Sequence, residues 1–240
     1  YAAKGRPSDN PLIVHIAEES DLERVAKVVP EQAKKLAKAF WPGPLTMVVW
    51  KKDEVPYATT GGLNTVAVRM PNHPVALELI RRSGKLIAAP SANTSGRPSP
   101  TEAAHVAEDL SGRIAMILDG GSVGIGIEST IIDLTEPVPM ILRPGYITPE
   151  MLSNVLGEEV IIDPGIIAAD DTTKPKAPGM KYRHYAPKAQ LMIVEGETEE
   201  AVKAIRQIAY EQTRLGYKVG IIANQSLGTK ERLEKWELLQ

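Results

Sequence analysis

Cysteine is absent from this chain of 240 residues, phenylalanine occurs once, and neither sign of charge dominates. Without cysteine there is no disulfide framework and no thiolate metal site, and the histidines, at positions 15, 73, 105 and 184, are too scattered to suggest a structural zinc. Lys plus Arg number 28 against 30 Asp plus Glu, so no global field draws the chain to nucleic acid or to an anionic membrane. Any anion must be met by a local cluster. No apolar run approaches the roughly 20 residues needed to span a bilayer and no signal peptide is visible, so a cytoplasmic location is the expectation. With 43% hydrophobic and 24% charged residues the composition is that of an ordinary globular protein, long enough for a proper core.

From position 11 to 160 short apolar runs alternate with amphipathic stretches, which points to mixed α/β structure. Strands are expected at Leu45–Trp50, Thr65–Arg69, Leu86–Ala89, Ile114–Leu118, Ser129–Leu134 and Pro139–Arg143. Helical spacing of apolar residues marks Asp21–Val29, Glu31–Phe40, His73–Ser83 and Thr101–Leu110. Ser99-Pro100-Thr101-Glu102 and Thr148-Pro149-Glu150 both read as helix starts, with a capping hydroxyl and a proline in the first turn. Strands arrive both consecutively and between helices, so a twisted mixed sheet with flanking helices fits better than a repeating parallel unit. From Asp163 to Pro187 the periodicity disappears and four prolines stiffen the chain, a linker composition. After it, Gln190–Glu195, Glu199–Leu215 and Lys218–Ala223 read as strand, helix and strand, a βαβ unit too small for a comfortable core of its own.

Several polar clusters fall in turns or at strand ends, where α/β folds place their sites. Lys4, Arg6, Asn10 and His15 set two cations, a carboxamide and an imidazole around one turn. Arginine and lysine together suit a polyphosphate or a carboxylate, the one as a planar fork and the other as a mobile point charge. Arg69 ends the strand Thr65–Arg69, after the Thr60-Gly61-Gly62 turn. Ser91, Asn93, Thr94, Ser95 and Ser99 crowd one strand end, more hydroxyls and carboxamides than capping explains. Gly120 to Gly126 has no Gly-Lys-Ser/Thr ending and is not a P-loop. Trp41-Pro42-Gly43-Pro44 reads as a rigid turn of structural purpose, whereas 178–187, basic and aromatic, reads as an ordered strap rather than a spacer. The surplus is in donors, with no paired catalytic carboxylates and no evident nucleophile. Such a set suits phosphoryl or nucleotidyl transfer, where positioning and charge stabilisation supply most of the catalysis.

These pieces resemble the threonylcarbamoyl-AMP synthases, whose catalytic module is the YrdC-like domain. The resemblance rests on Lys-Gly-Arg-Pro-x-x-Asn-Pro-Leu-x-x-His at 4–15, Trp-Pro-Gly-Pro-Leu-Thr at 41–46, Val-Arg-x-Pro at 68–71, Ser-Ala-Asn-x-Ser-Gly at 91–96, Glu-Ser-Thr-Ile-Ile-Asp at 128–133 and Leu-Arg-Pro-Gly at 142–145. It covers 1 to 190 strongly and the remainder weakly. It implies a YrdC-like catalytic domain over 1–160, a strap over the active site at 161–188, and a partial, small Rossmann-like α/β domain over 189–240. The activity it implies is nucleotidyl transfer: L-threonine, bicarbonate or CO2, and ATP give L-threonylcarbamoyladenylate and pyrophosphate, with Mg2+ carried on the ATP phosphates. The product would serve modification of tRNA at adenosine 37 through a downstream threonylcarbamoyl transferase, so tRNA is an indirect partner.

Carried residue by residue, the resemblance places Arg6, Asn10, Thr65, Ser91, Ser99, Arg143 and, from the strap, His184 around ATP. It places His15, Arg69, the Ala89 backbone and Ser129 around threonine, with Lys4 and Arg6 at the reacting groups and Asn93 supporting its loop. The family carries an upstream Pro-Thr-Glu-Thr-x-Tyr-Gly-Leu segment that is not in this sequence, and the chain opens at Tyr1 rather than methionine, so a preceding segment is expected. A noncatalytic module binding double-stranded RNA is the alternative, opposed by a sequence pI near 6.2 and the lack of an aromatic stacking set. A carbamoyl-transfer module of a maturation enzyme is opposed by the absence of the zinc-finger cysteines such proteins carry.

Overall fold

Side-chain alternation along the strands decides what each face of the sheet can do. The computed structural model describes residues 1–167 and 189–223, and the chain divides into two compact units, Tyr1–Pro187 and Lys188–Gln240. In chain order the first unit holds β1 (Ile13–His15), α1 (Leu22–Val25), α2 (Glu31–Phe40), β2 (Leu45–Trp50), α3 (Tyr57–Thr60), β3 (Thr65–Arg69), α4 (Pro74–Ser83) and β4 (Ile87–Ala89). Then follow α5 (Ala103–Leu110), β5 (Thr130–Asp133), β6 (Met140–Arg143), α6 (Pro149–Leu156), β7 (Ile161–Ile162) and α7 (Pro164–Ile167). The strands form one mixed sheet in the order β4-β1-β3-β2-β5-β6-β7, with β1/β3, β2/β5 and β6/β7 parallel and the other neighbours antiparallel.

One face of this sheet is covered by helices. Val14, Met47, Val49, Val66, Val68, Ile132 and Ile141 point to it and pack with Leu36 and Ala37 of α2 and Leu152 and Leu156 of α6. Full burial of each larger side chain is worth about 1.5–3 kcal/mol, so this layer holds the fold together. The other face has only a small apolar cluster, Ile13, Val48, Ala67, Ile131 and Leu142. Two residues further along the same strands, on that same face, stand His15, Thr46, Arg69 and Ser129. The pleat therefore gathers polar groups at one end of the helix-free face.

A bulge adds the fourth strand to that set. Ile132 pairs with Ile141 while Ile131 pairs with Arg143, so Leu142 is the extra residue on β6. A bulge of this kind turns two successive side chains to one side. Leu142 joins Ile131 in the small apolar cluster, and Arg143 lies beside it on the cavity side rather than toward the helices. Beyond β6, Gly145 is pressed against the start of β5. A Cβ there would stand 2.5 Å from the Thr130 nitrogen and 2.6 Å from the Glu128 oxygen, which explains glycine at the end of Leu-Arg-Pro-Gly.

The sequence expectations hold for β2, β3 and α2 to the residue, for β4, β5, β6 and α4 within one, and for α5 within two, and α6 starts at the turn expected to open it. Thr148 caps α6 as read, its hydroxyl accepting from the Met151 N–H at 3.2 Å. Four expectations fail. Ile114–Leu118 is not a strand: Met116 is 74% exposed, and the sheet ends at β4 and β7 without reaching this segment. Asp21–Val29 is only a 3-10 turn, Glu19–Asp21, and the single turn α1, because Ala26 leaves the helix to bridge to Lys51. Ser99 does not cap a helix. α5 begins at Ala103 with Glu102 at its N-cap in extended conformation.

The fourth failure concerns the second unit, whose described residues contain one helix, α8 (Thr198–Arg214), with Ala201 and Ala209 buried. Gln190–Glu195 and Lys218–Ala223 form no strand there. A strand exists only through its ladder, and most apolar residues of both runs stay in solvent, with Ile193 78% and Ile222 94% exposed. Two further strands, β1 and β7, are three and two residues long, too short for alternation to mark them in the sequence. Among the described residues no helix is long and apolar enough to cross a membrane.

Candidate active site

A cavity of about 230 Å³ lies over the polar end of the helix-free face. Strands supply His15, Arg69, Ala89 and Arg143, Ser129 directly precedes β5, and turns and loops supply Lys4, Arg6, Ser91, Asn93 and Ser99. Ten sequence-expected residues are thus brought to one space. Two others are not. Asn10 is buried behind Arg6, whose Nη2 donates to its Oδ1 at 2.8 Å and to the Pro11 carbonyl at 2.7 Å. Thr65 shares the face of Arg69 but lies four residues back along β3, about 13 Å at strand rise, and pairs with Trp50 away from the cavity. His184 and the rest of the 178–187 strap lie outside the described residues.

The strand half of the site is tied by hydrogen bonds that orient each head group. Arg69 Nε donates to the Gly43 carbonyl at 3.0 Å. Arg143 Nε donates to the Ser129 carbonyl at 3.0 Å and its Nη2 to the Ser129 hydroxyl at 3.1 Å. Ser129 Oγ in turn lies 2.8 Å from the hydroxyl of Thr46, which is wholly buried. Burial lowers the Arg69 pKa below the usual arginine value, and the nearby Arg143 charge adds to the fall. Two guanidiniums whose charges act on each other at one end of the sheet face make a site for an anion.

His15 is half-buried beside them, and its pKa falls to about 4, chiefly by burial and then by the Arg69 charge, against the opposing pull of the Ile87 and Ile13 carbonyls. The ring is neutral at physiological pH. Its Nδ1 lies 3.3 Å from the Ile87 carbonyl, which can only accept, so Nδ1 carries the proton.

The loop half centres on Lys4, buried in the 3-10 turn Ala2–Lys4 that Gly5 ends in left-handed conformation. Its Nζ donates to the carbonyls of Ser91 and Asn93. Burial first, and the Arg6 charge second, lower its pKa to about 8, with Asp109 acting in the opposite direction. Two buried polar atoms of the cavity lining, Asn93 Oδ1 and Ser99 Oγ, have no hydrogen-bond partner among the described residues. Groups left so are the ones a ligand satisfies.

Sequence reasoning missed two contributors. Thr46 orients Ser129, and the available signal was a hydroxyl inside an otherwise apolar strand. The Trp41-Pro42-Gly43-Pro44 turn, read as purely structural, presents the carbonyl that aims Arg69. A Cβ on Gly43 would stand 2.2 Å from the Phe40 oxygen, so only glycine lets the turn close. Metal ligation is not supported by the lining: among the described residues no group of three His, Cys, Asp or Glu side chains could hold an ion, and Glu128 is the cavity's one carboxylate.

Residues 1–145 match the Sua5/YciO/YrdC family, described as "Telomere recombination", and residues 147–238 match the threonylcarbamoyl-AMP synthase C-terminal domain. The chain belongs to the threonylcarbamoyl-AMP synthase family. Threonylcarbamoyl-AMP synthases of Pyrococcus abyssi and Bacillus subtilis are each 53% identical to it, over 96% and 94% of this chain. The chain spans 67% and 63% of the lengths of those relatives. A crystal structure of P. abyssi Sua5 complexed with L-threonine superposes with a TM-score of 0.86 at 48% identity, covering 99% of this chain and 73% of that one. The YrdC-type α/β fold and the second, C-terminal family domain expected from the motifs are both present in this family assignment.

Proposed function

We propose that this chain carries the adenylating site of a threonylcarbamoyl-AMP synthase, joining L-threonine, bicarbonate or CO2, and ATP into L-threonylcarbamoyladenylate with release of pyrophosphate. The observation that carries the reading is the convergence of Lys4, Arg6, Arg69 and Arg143 with the loop hydroxyls Ser91 and Ser99 in one cavity, to which the described residues bring a single carboxylate, Glu128. The relative solved with L-threonine supports the amino-acid half of it.

The chemistry needs cations more than bases. The threonine amine adds to CO2, a C–N bond forms and one amine proton leaves, giving a carbamate. A carbamate oxygen then attacks the α-phosphorus, and the bond to the β,γ-pyrophosphate breaks. Arg69, steered by Gly43, pairs with the threonine carboxylate, and neutral His15 and Ser129 border the same subsite. Arg143 and Arg6 offset triphosphate charge, with Asn10 acting through Arg6, while Ser91 and Ser99 hydrogen-bond the nucleotide. Lys4 stands between the two subsites, where charge on the carbamate and the departing pyrophosphate builds up. Mg2+ would enter with ATP as part of the substrate, where phosphate oxygens and water would supply most of its ligands. In this reading the product passes to a threonylcarbamoyl transferase acting on tRNA.

Pyrophosphate release by the protein, measured with each substrate withheld in turn, tests this. Release is expected only with ATP, threonine and bicarbonate together. Release that ignores threonine removes the substrate assignment, and salt-sensitive retention of double-stranded RNA without nucleotide binding would favour the RNA-binding alternative.

A further inference from the structure

The stretch from Ser91 to Arg97 has no regular secondary structure, yet it brings Ser91, Asn93, Ser95 and Gly96 to the cavity. Such a loop keeps one shape only if its backbone polar groups are met from outside. On one side Lys4 meets them, through Nζ to the Ser91 and Asn93 carbonyls and through its own carbonyl, which accepts from the Ser95 N–H at 2.9 Å.

On the other side stands Asp109, in the last turn of α5 and outside the cavity lining. One carboxylate oxygen accepts the Thr94 N–H at 2.8 Å, the other pairs with the Arg97 guanidinium, and the Asp109 carbonyl lies 3.3 Å from the Thr94 hydroxyl that donates to it. The Asp109 side chain is only 7% exposed, so these charge-assisted bonds are poorly screened, whereas the second Arg97 pair, to Glu108, is with a side chain 66% exposed and counts for little. An acid at a helix C-terminus opposes the helix dipole, a local cost that the loop contacts offset. Within the loop, Asn93 Nδ2 donates to the Thr94 and Arg97 carbonyls at 2.9 and 2.8 Å, which leaves Oδ1 as the buried acceptor lining the cavity.

We propose that Asp109 is a positioning residue for the nucleotide side of the site, clamping the Ser91–Arg97 loop from behind while Lys4 holds it from the front. The proposal rests on the ATP reading above. It has an electrostatic consequence, because the charged groups facing Lys4 are Arg6 and Asp109, which act in opposite directions. Without the Asp109 charge the Arg6 repulsion is unopposed. Lys4 then loses its proton at lower pH, and its hold on the two loop carbonyls weakens with it.

The experiment is calorimetric titration of Asp109→Asn with MgATP and, separately, with L-threonine between pH 6.5 and 9, with amide hydrogen exchange on the ligand-free protein. The variant keeps the shape and an acceptor for Thr94. Expected are MgATP affinity about tenfold weaker, threonine affinity within about twofold, and an alkaline fall in MgATP affinity that begins at lower pH than in the wild type. Exchange should accelerate within 91–97 and not in β2 or β3. Arg97→Gln, which leaves the Thr94 contact, should weaken MgATP less than Asp109→Asn, and Asp109→Glu should restore the alkaline limb. MgATP affinity within twofold of wild type at every pH, or equal loss of threonine and MgATP, overturns the proposal. A wild-type protein that binds no MgATP defeats the ATP reading instead. Exchange then decides the clamp alone, upheld by acceleration in 91–97 and overturned by its absence.

Discussion

The two walls of the cavity are held in different ways. Arg69, Arg143, Ser129 and His15 sit on or beside strands whose register is set by the buried core of the sheet, and their head groups are steered by Gly43, Thr46 and Ile87. Lys4, Ser91, Asn93 and Ser99 sit in loops whose shape depends on a few charge-assisted bonds. The strand wall inherits the rigidity of the core, so it changes only when the fold is disturbed. The loop wall can loosen while the sheet stays intact. The difference separates groups whose aim is fixed by the core from groups whose aim a local contact can change.

Perturbations of each wall separate these modes. The largest effect is expected from Arg143→Ala, which removes a guanidinium from the anion site and the partner of Ser129. Pyrophosphate release should fall by about 10²–10³-fold, or roughly 3–4 kcal/mol, with the melting temperature nearly unchanged. A collapse of the melting temperature instead would mean that Arg143 holds the sheet rather than the substrate.

Next is the pH response of the strand wall. His15 is held near pKa 4 in the fold against an ordinary value of 6.5, so the unfolded chain takes up a proton first as pH falls. Its contribution, on the order of 3 kcal/mol, is present above pH 6.5 and is lost progressively between 6.5 and 4. Urea unfolding across that window should show a stability slope that His15→Gln flattens. An unchanged slope in the variant would assign the acid response elsewhere.

Smaller again is Thr46→Val, which keeps the buried shape and takes away the hydroxyl beside Ser129. A stability loss of about 1–2 kcal/mol is expected, with the threonine KM rising more than the ATP KM. Equal changes in both constants would show that the two walls are not independent. Thr148→Ala, at the α6 cap and outside the cavity lining, should cost about 1 kcal/mol in urea unfolding and leave both KM values unchanged.

Legibility followed the same division. Strands with continuous apolar runs, such as Leu45–Trp50, were readable because every residue but Trp50 is buried. Three-residue β1 and two-residue β7 were not, since so short a run has no period to read. Ile114–Leu118 shows the converse, an apolar run that the fold leaves in solvent because no strand edge meets it. In the site, ten residues named from motifs reach the cavity, whereas Asn10 reaches it only through Arg6 and Thr65 lies at the wrong end of its strand. Residues that act by aiming others, Gly43, Thr46 and Asp109, carry no chemistry of their own that a motif would announce. Their roles depend on contacts 15 to 83 positions away in sequence.

The bulge in β6 makes the site sensitive to strand register as well as to residue type. Because Leu142 is the extra residue, Arg143 stands against Ile131 and shares the cavity side with Leu142. In straight register Leu142 would stand against Ile131 and Arg143 against Thr130, which would turn the arginine toward the helix-covered layer and bury its charge among aliphatic side chains. A descendant of this protein could keep the whole motif set and still lose its anion site by losing the bulge.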